Sequence, residues 1–133
     1  MPVVDTSARE TLNRGDLIAV VDDDESVRNA VSGVLRSVGL KSQTYPSAED
    51  FLRSGQQSET ACLITDVQMP GMSGLELQTK LATEGHRIPV IFISAYGNPR
   101  LRDQALRLGA VQFLDKPFDD EILLDIVREL VDR

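Results

Sequence analysis

A single cysteine, Cys62, stands among the 133 residues, so no disulfide can form within the chain. It lies in the apolar run Ala61-Cys62-Leu63-Ile64, where it reads as a small buried hydrophobe rather than a redox group. No apolar stretch approaches the ~20 residues that a membrane-crossing helix needs. Met1 to Asp16 is polar and carries acids, with no hydrophobic segment of the secretory kind. A cytoplasmic protein with no membrane attachment is therefore expected. Positive charge is also scarce: 14 Lys and Arg face 21 Asp and Glu, giving a net charge of −7 with no basic cluster. Nucleic acid would be repelled overall, so direct binding to it is not expected. Gly and Pro are present in ordinary number and the hydrophobic share is 41%, so neither a disordered nor a fibrous chain is favoured. One domain of this length can bury roughly two-thirds of its unfolded surface.

Apolar runs alternate with amphipathic stretches from Asp16 onward, whereas Met1–Gly15 has no sustained periodicity and reads as a polar tail or linker. The run Leu17–Val21 is continuously apolar, as in a strand covered on both faces. Glu25–Val38 places Val27, Ala30, Val31, Val34, Leu35 and Val38 at helical spacing, and Gly39 is suited to end that helix. Gly33 inside it is unfavourable by about 1 kcal/mol relative to Ala, which suggests close packing. A weak strand is expected over Lys41–Tyr45, then a short helix capped by Ser47 and running to about Arg53. Further strands are expected at Ala61–Thr65, Pro89–Ile93 and Val111–Leu114. Helices are expected at Leu75–Thr83, from an Asn98-Pro99 start to Leu108, and over a last stripe of Ile122, Leu123, Ile126, Val127, Leu130 and Val131. Five strand-then-helix repeats imply an α/β fold, a single doubly wound parallel sheet with helices on both faces.

Ligands in such sheets bind beyond the carboxyl ends of the strands. There the first strand delivers Asp22-Asp23-Asp24, the third Thr65-Asp66, the fourth Ser94 and the fifth Asp115-Lys116-Pro117. Clustered carboxylates repel, and a hard divalent cation such as Mg2+ resolves the conflict. Lys116 adds a second positive charge and Ser94 a hydroxyl donor. A nucleophilic carboxylate, a metal cradle, an ammonium and a hydroxyl are the parts that phosphoryl transfer requires. Singly, each has a plain structural reading: a helix cap for the Asp22–Asp24 run, a turn residue for Asp66, a surface pair for Lys116-Pro117. Their joint occurrence at four strand ends favours the chemical one.

The segments Val20-Val21-Asp22-Asp23-Asp24, Asp66-Val67-Gln68-Met69-Pro70-Gly71-Met72-Ser73-Gly74, Ile93-Ser94-Ala95 and Lys116-Pro117-Phe118 resemble the signatures of two-component response-regulator receiver domains. The resemblance covers residues 16–133, and the short Ala95–Asn98 loop is most similar to receivers of the nitrogen-fixation regulator type. It implies a flavodoxin-like fold with strand order 2-1-3-4-5 and five helices. It further implies that Asp66 accepts a phosphoryl group from a histidine kinase or phosphotransfer protein. Mg2+ would be held by Asp23, Asp66 and the backbone carbonyl of Gln68, with Asp22 acting through water. Lys116 and Ser94 would contact the phosphoryl group, and the small Ala95 would keep the approach open. Phe113 occupies the family's switch-aromatic position, although a plain core Phe is the alternative. The Lys116-Pro117 peptide is expected to be cis. Ser at 94 and Phe at 113 depart from the commoner Thr and Tyr, and the second removes a hydroxyl from the switch. Signalling would pass to a downstream partner or output domain, with a possible homodimer, through the fourth helix, fifth strand and fifth helix.

Asp24 is expected to open the first helix, Met69 and Met72 to pack rather than bind metal, and His86 to be solvated with no role. Two rival readings differ in class. Asp22-x-Asp24 also resembles the opening motif of haloacid-dehalogenase-like phosphatases, which would make Asp22 the nucleophile and leave the Met-Pro-Gly loop unexplained. A receiver that takes no phosphate and serves only as an interaction module is the other.

Overall fold

The computed structural model describes residues 16–95 and 99–131. The Met1–Gly15 segment and the expected Asn98 cap lie outside that range, as does most of the loop after Ala95. In chain order the elements are β1 (Leu17–Val21), α1 (Glu25–Ser37), β2 (Ser42–Tyr45), α2 (Ala48–Ser54), a single 3-10 turn (Gln57–Glu59), β3 (Thr60–Asp66), α3 (Gly74–Thr83), β4 (Val90–Ser94), α4 (Pro99–Arg107), β5 (Gln112–Asp115) and α5 (Asp120–Val131). The five strands pair in the order β2-β1-β3-β4-β5, every pair parallel. No described helix is long and apolar enough to cross a membrane.

Alternation along each strand divides the apolar side chains between two cores. Ala19, Val21, Leu63, Phe92 and Phe113 face one layer with Ala48, Phe51, Leu77, Leu81 and Ala105. Ile18, Val20, Cys62, Ile64, Ile91 and Ile93 face the other with Val31, Leu35, Leu123, Leu124 and Val127. A sheet covered on both sides has no solvent face, which is why its central strands read as unbroken apolar runs. Each fully buried aliphatic or aromatic side chain contributes roughly 1.5–3 kcal/mol.

Caps set the helix ends. Asp24 accepts from the Ser26 amide at 2.9 Å and so starts α1, and Ser47 does the same for α2 from the Asp50 amide at 3.1 Å. Ser73 and Glu76 form a reciprocal capping box at α3, legible as the Ser-x-x-Glu pattern. Asp119 accepts from the Glu121 amide at 2.8 Å at the start of α5.

Three expectations are corrected. Gly33 is not closely packed: a Cβ there would meet nothing within 4 Å. Ala30 is exposed rather than part of the α1 seam. Ile122 is 51% exposed, whereas Leu124, absent from the expected stripe, is 5% exposed. Successive helical residues turn by about 100°, and the buried arc of α5 is centred on Leu123 and Val127, which leaves Ile122 beyond its edge.

Candidate functional site

Strand order reverses between β1 and β3, because β2 lies on one side of β1 and β3 on the other. This is the switch point at which a crevice opens beyond the carboxyl ends. Val21 and Thr65 are paired in register across it, so Asp22 and Asp66, one residue further along each strand, leave the sheet side by side. Ser94 at the end of β4 pairs with Asp115 of β5, and the Lys116 amide donates to the Ser94 carbonyl at 2.7 Å. The result is a pocket of about 260 Å³ lined by Asp22, Asp23, Asp24, Asp66, Gln68, Ser94, Ala95 and Lys116.

Within it Asp22 is fully buried, and both its oxygens are engaged. Oδ1 accepts from the Asp24 amide at 2.9 Å and Oδ2 from Lys116 Nζ at 3.0 Å. Asp66 is 8% exposed; its Oδ1 accepts from the Gln68 amide at 3.3 Å and its Oδ2 from Lys116 Nζ at 3.4 Å. Burial first, and the negative charge of Asp22 second, push the Asp66 carboxyl above the ordinary aspartate value against the pull of Lys116 and the Gln68 amide. Burial alone would lower Lys116, yet its hydrogen bond to Asp22 and the charges of Asp66 and Asp22 hold the ammonium above the usual lysine value. Ser94 is 3% exposed and Ala95 is exposed at the pocket edge.

One oxygen each from Asp22, Asp23 and Asp66 lies within 4.8 Å of the others. The donors are all oxygen, which suits a hard cation such as Mg2+ and not a thiophilic one. Met69 is buried in the core and Met72 packs against it, consistent with packing residues.

Phe113 does not line the pocket. Its ring is 1% exposed, lies 6.3 Å from that of Phe92 between centroids, and is covered by the Arg102 guanidinium at 5.2 Å. The Lys116-Pro117 peptide is cis. His86 is half-buried beside Gln78 and Gly85, away from the pocket. Cys62 is wholly buried and its thiol is pushed up to about 12.

Several contributors were not anticipated from sequence. Arg28 Nη1 donates to the Asp22 carbonyl at 2.7 Å. Gly74 closes the loop: its amide donates to the Val67 carbonyl at 2.8 Å, and a Cβ would stand 2.2 Å from the Asp66 carbonyl oxygen. Gly74 was the last residue of the recognisable loop motif, so a signal for it existed, whereas none marked Arg28.

Comparison with known proteins is consistent across sequence and structure. The family model described as the response regulator receiver domain matches residues 18–128. The response regulator protein TodT of Pseudomonas putida is 42% identical over 123 residues, covering 92% of this chain and 54% of the relative. The transcriptional regulatory protein FixJ of Azorhizobium caulinodans is 40% identical over 116 residues, covering 87% of this chain and 55% of FixJ. The chain thus spans about half the length of these relatives. The crystal structure of FixJ-N superposes with a TM-score of 0.80 at 32% identity, over 88% of this chain and 94% of that one.

Proposed function

This chain belongs to the response-regulator receiver family, and we propose that it is a phosphorylation switch in which Asp66 takes the phosphoryl group. The receiver unit is assigned to residues 16–133, preceded by a polar tail or linker over 1–15. The observation that carries the reading is the bridging of Asp22 and Asp66 by Lys116 at the reversal point of the sheet, with the Ser94 hydroxyl in the same pocket.

An Asp66 carboxylate oxygen attacks the phosphorus of a phosphohistidine on a kinase or phosphotransfer partner. The P–N bond breaks, and the imidazole leaves with the electron pair. Asp66 suits this role better than Asp22, which has no exposed surface and is held by shorter hydrogen bonds, whereas Asp66 keeps 8% of its surface open to the pocket; that difference disfavours the phosphatase reading. The Lys116 ammonium, already within 3.4 Å of Asp66, transfers its contact to a phosphoryl oxygen. Ser94 donates its hydroxyl to another, and Ala95 leaves the approach clear. Asp23, Asp66 and the Gln68 carbonyl would hold Mg2+, and Asp22 would act on it through water. When bound, the ion would supply positive charge to offset that of the phosphoryl oxygens. The protein catalyses its own phosphorylation and dephosphorylation and is otherwise a signalling domain, expected in the cytoplasm and bound to neither membrane nor nucleic acid.

The signal leaves through Ser94 and Phe113 toward α4, β5 and α5. Phe113 lies inside the core, and phosphorylation favours the arrangement in which Ser94 has moved toward the phosphoryl oxygens and Phe113 fills the space it vacates. The surface beyond carries the exposed apolar residues Leu106, Val111 and Ile122 besides charged groups. It serves a downstream partner, an output domain or a second copy of the chain.

The experiment is incubation with acetyl phosphate and Mg2+, followed by intact-protein mass measurement. One base-labile phosphoryl group is expected on the wild type and none on Asp66→Asn. Full labelling of that variant sinks the assignment, and an unlabelled wild type favours the interaction-module reading.

A further inference from the structure

The loop over residues 67–73 carries the Gln68 carbonyl from the end of β3 to the start of α3, and it is held by a side chain from a different element. Oε2 of Glu49, in the first turn of α2, accepts from the Met72 amide at 2.9 Å. That hydrogen bond is the main reason the Glu49 carboxyl lies below the ordinary glutamate range. The backbone opposite makes room for it: Gly71 has φ +77°, and a Cβ there would stand 2.6 Å from Glu49 Oε2. The helix that carries Glu49 is anchored by Ala48 and Phe51, both fully buried. The Gln68 amide on Asp66 Oδ1 ties the start of the loop to β3, the Gly74 amide closes its far end back onto the Val67 carbonyl, and the Met72 amide ties it to α2. A loop held at these points does not have to be ordered when a ligand arrives, and the entropy of ordering is not subtracted from the affinity.

We propose that Glu49 is a positioning residue for the divalent cation: by holding the Met72 amide it sets the 67–73 loop so that the Gln68 carbonyl completes the oxygen set begun by Asp23 and Asp66. The inference rests on the reading of this pocket as an Mg2+-dependent phosphoacceptor site. Glu49 touches neither the cation nor the phosphoryl group. Its effect is therefore on how tightly Mg2+ binds, not on the rate once the site is filled. A hydrogen-bond acceptor is what the position needs, so Gln, which keeps an oxygen there, should serve, while Ala and the shorter Asp should not.

Isothermal titration of Mg2+ into the wild type and the Glu49→Gln, Glu49→Ala and Glu49→Asp variants reads this directly, alongside labelling rates with acetyl phosphate at saturating Mg2+. The expected result is a Kd about tenfold weaker in Ala and Asp, by analogy with the loss of residues that orient metal ligands. Gln should stay within about twofold of wild type, with saturated labelling rates similar in all four proteins. If Ala fails to fold by circular dichroism, Asp, which keeps charge and most of the side chain, decides the outcome. Unchanged Mg2+ affinity in the folded Ala or Asp variants overturns the role of Glu49 and leaves the site reading standing. So does a Gln variant as weak as Ala. A wild type that binds no Mg2+ overturns both.

Discussion

The ammonium of Lys116 lies 3.0 Å from Oδ2 of Asp22, a carboxylate with no exposed surface. The two residues are brought together from opposite ends of the chain, and the same ammonium reaches Asp66 at 3.4 Å. In the metal-free protein it is the cation shared by two acids. Removing it with Lys116→Ala leaves Asp22 buried and unpaired, which should cost about 2–3 kcal/mol in urea denaturation with chelator present. Mg2+ should recover part of that loss by binding only the folded state. A variant as stable as wild type without metal would show that the pair carries no net energy.

Asp66→Asn should act in the opposite direction and stabilise the metal-free fold by about 1 kcal/mol at neutral pH. The folded-state pKa of Asp66 is raised above 3.8, chiefly by burial. Its contribution to stability is therefore fully present below that ordinary value and is lost as pH rises through the raised pKa. The gap between Asn and wild type should be near zero at the acid end and open with rising pH. Urea midpoints at a series of pH values measure it, and a pH-independent gap would contradict the assigned cause. Asp23→Asn should lose most of the stabilisation that Mg2+ gives wild type.

Two glycines in helices should respond to Ala with opposite signs. Gly33 has open space where a Cβ would go, so Gly33→Ala should stabilise by about 1 kcal/mol through helix propensity and the unfolded chain. At Gly74 the Cβ would lie 2.2 Å from the Asp66 carbonyl oxygen and 3.0 Å from the Phe92 ring. Gly74→Ala should destabilise by about 2–3 kcal/mol, since backbone must move. Thermal or chemical melts of both variants check the pair.

Ser94→Ala should leave phosphorylation possible and remove its consequence. Beryllofluoride, which stands in for the phosphoryl group on Asp66, should strengthen self-association or partner binding of wild type through α4, β5 and α5. The Ala variant should show no such response. Sedimentation velocity of both proteins, with and without beryllofluoride, reads the outcome. Equal enhancement in both would remove Ser94 from the pathway.

The residue order determines a good deal by itself. Continuous apolar strands alternating with amphipathic helices announce a doubly wound parallel sheet, because hydrophobic period and chain direction are local properties of the sequence. Asp22, Asp23, Asp66, Ser94 and Lys116 could be singled out for the same reason: each follows an apolar run, and parallel strands put all such ends on one edge. Rotation of a helix against the sheet is not local. The stripe on α5 could be read from spacing, yet which of Ile122 and Leu124 faces inward depended on how that helix settled against β3 and α1. Contacts between distant elements were equally invisible. Glu49 on the Met72 amide, Arg28 on the Asp22 carbonyl and Arg102 over Phe113 each join residues whose neighbours in sequence carry no sign of the partner. A charged side chain on a helix looks solvated until the tertiary structure brings an unpaired backbone group, or the face of a ring, within its reach.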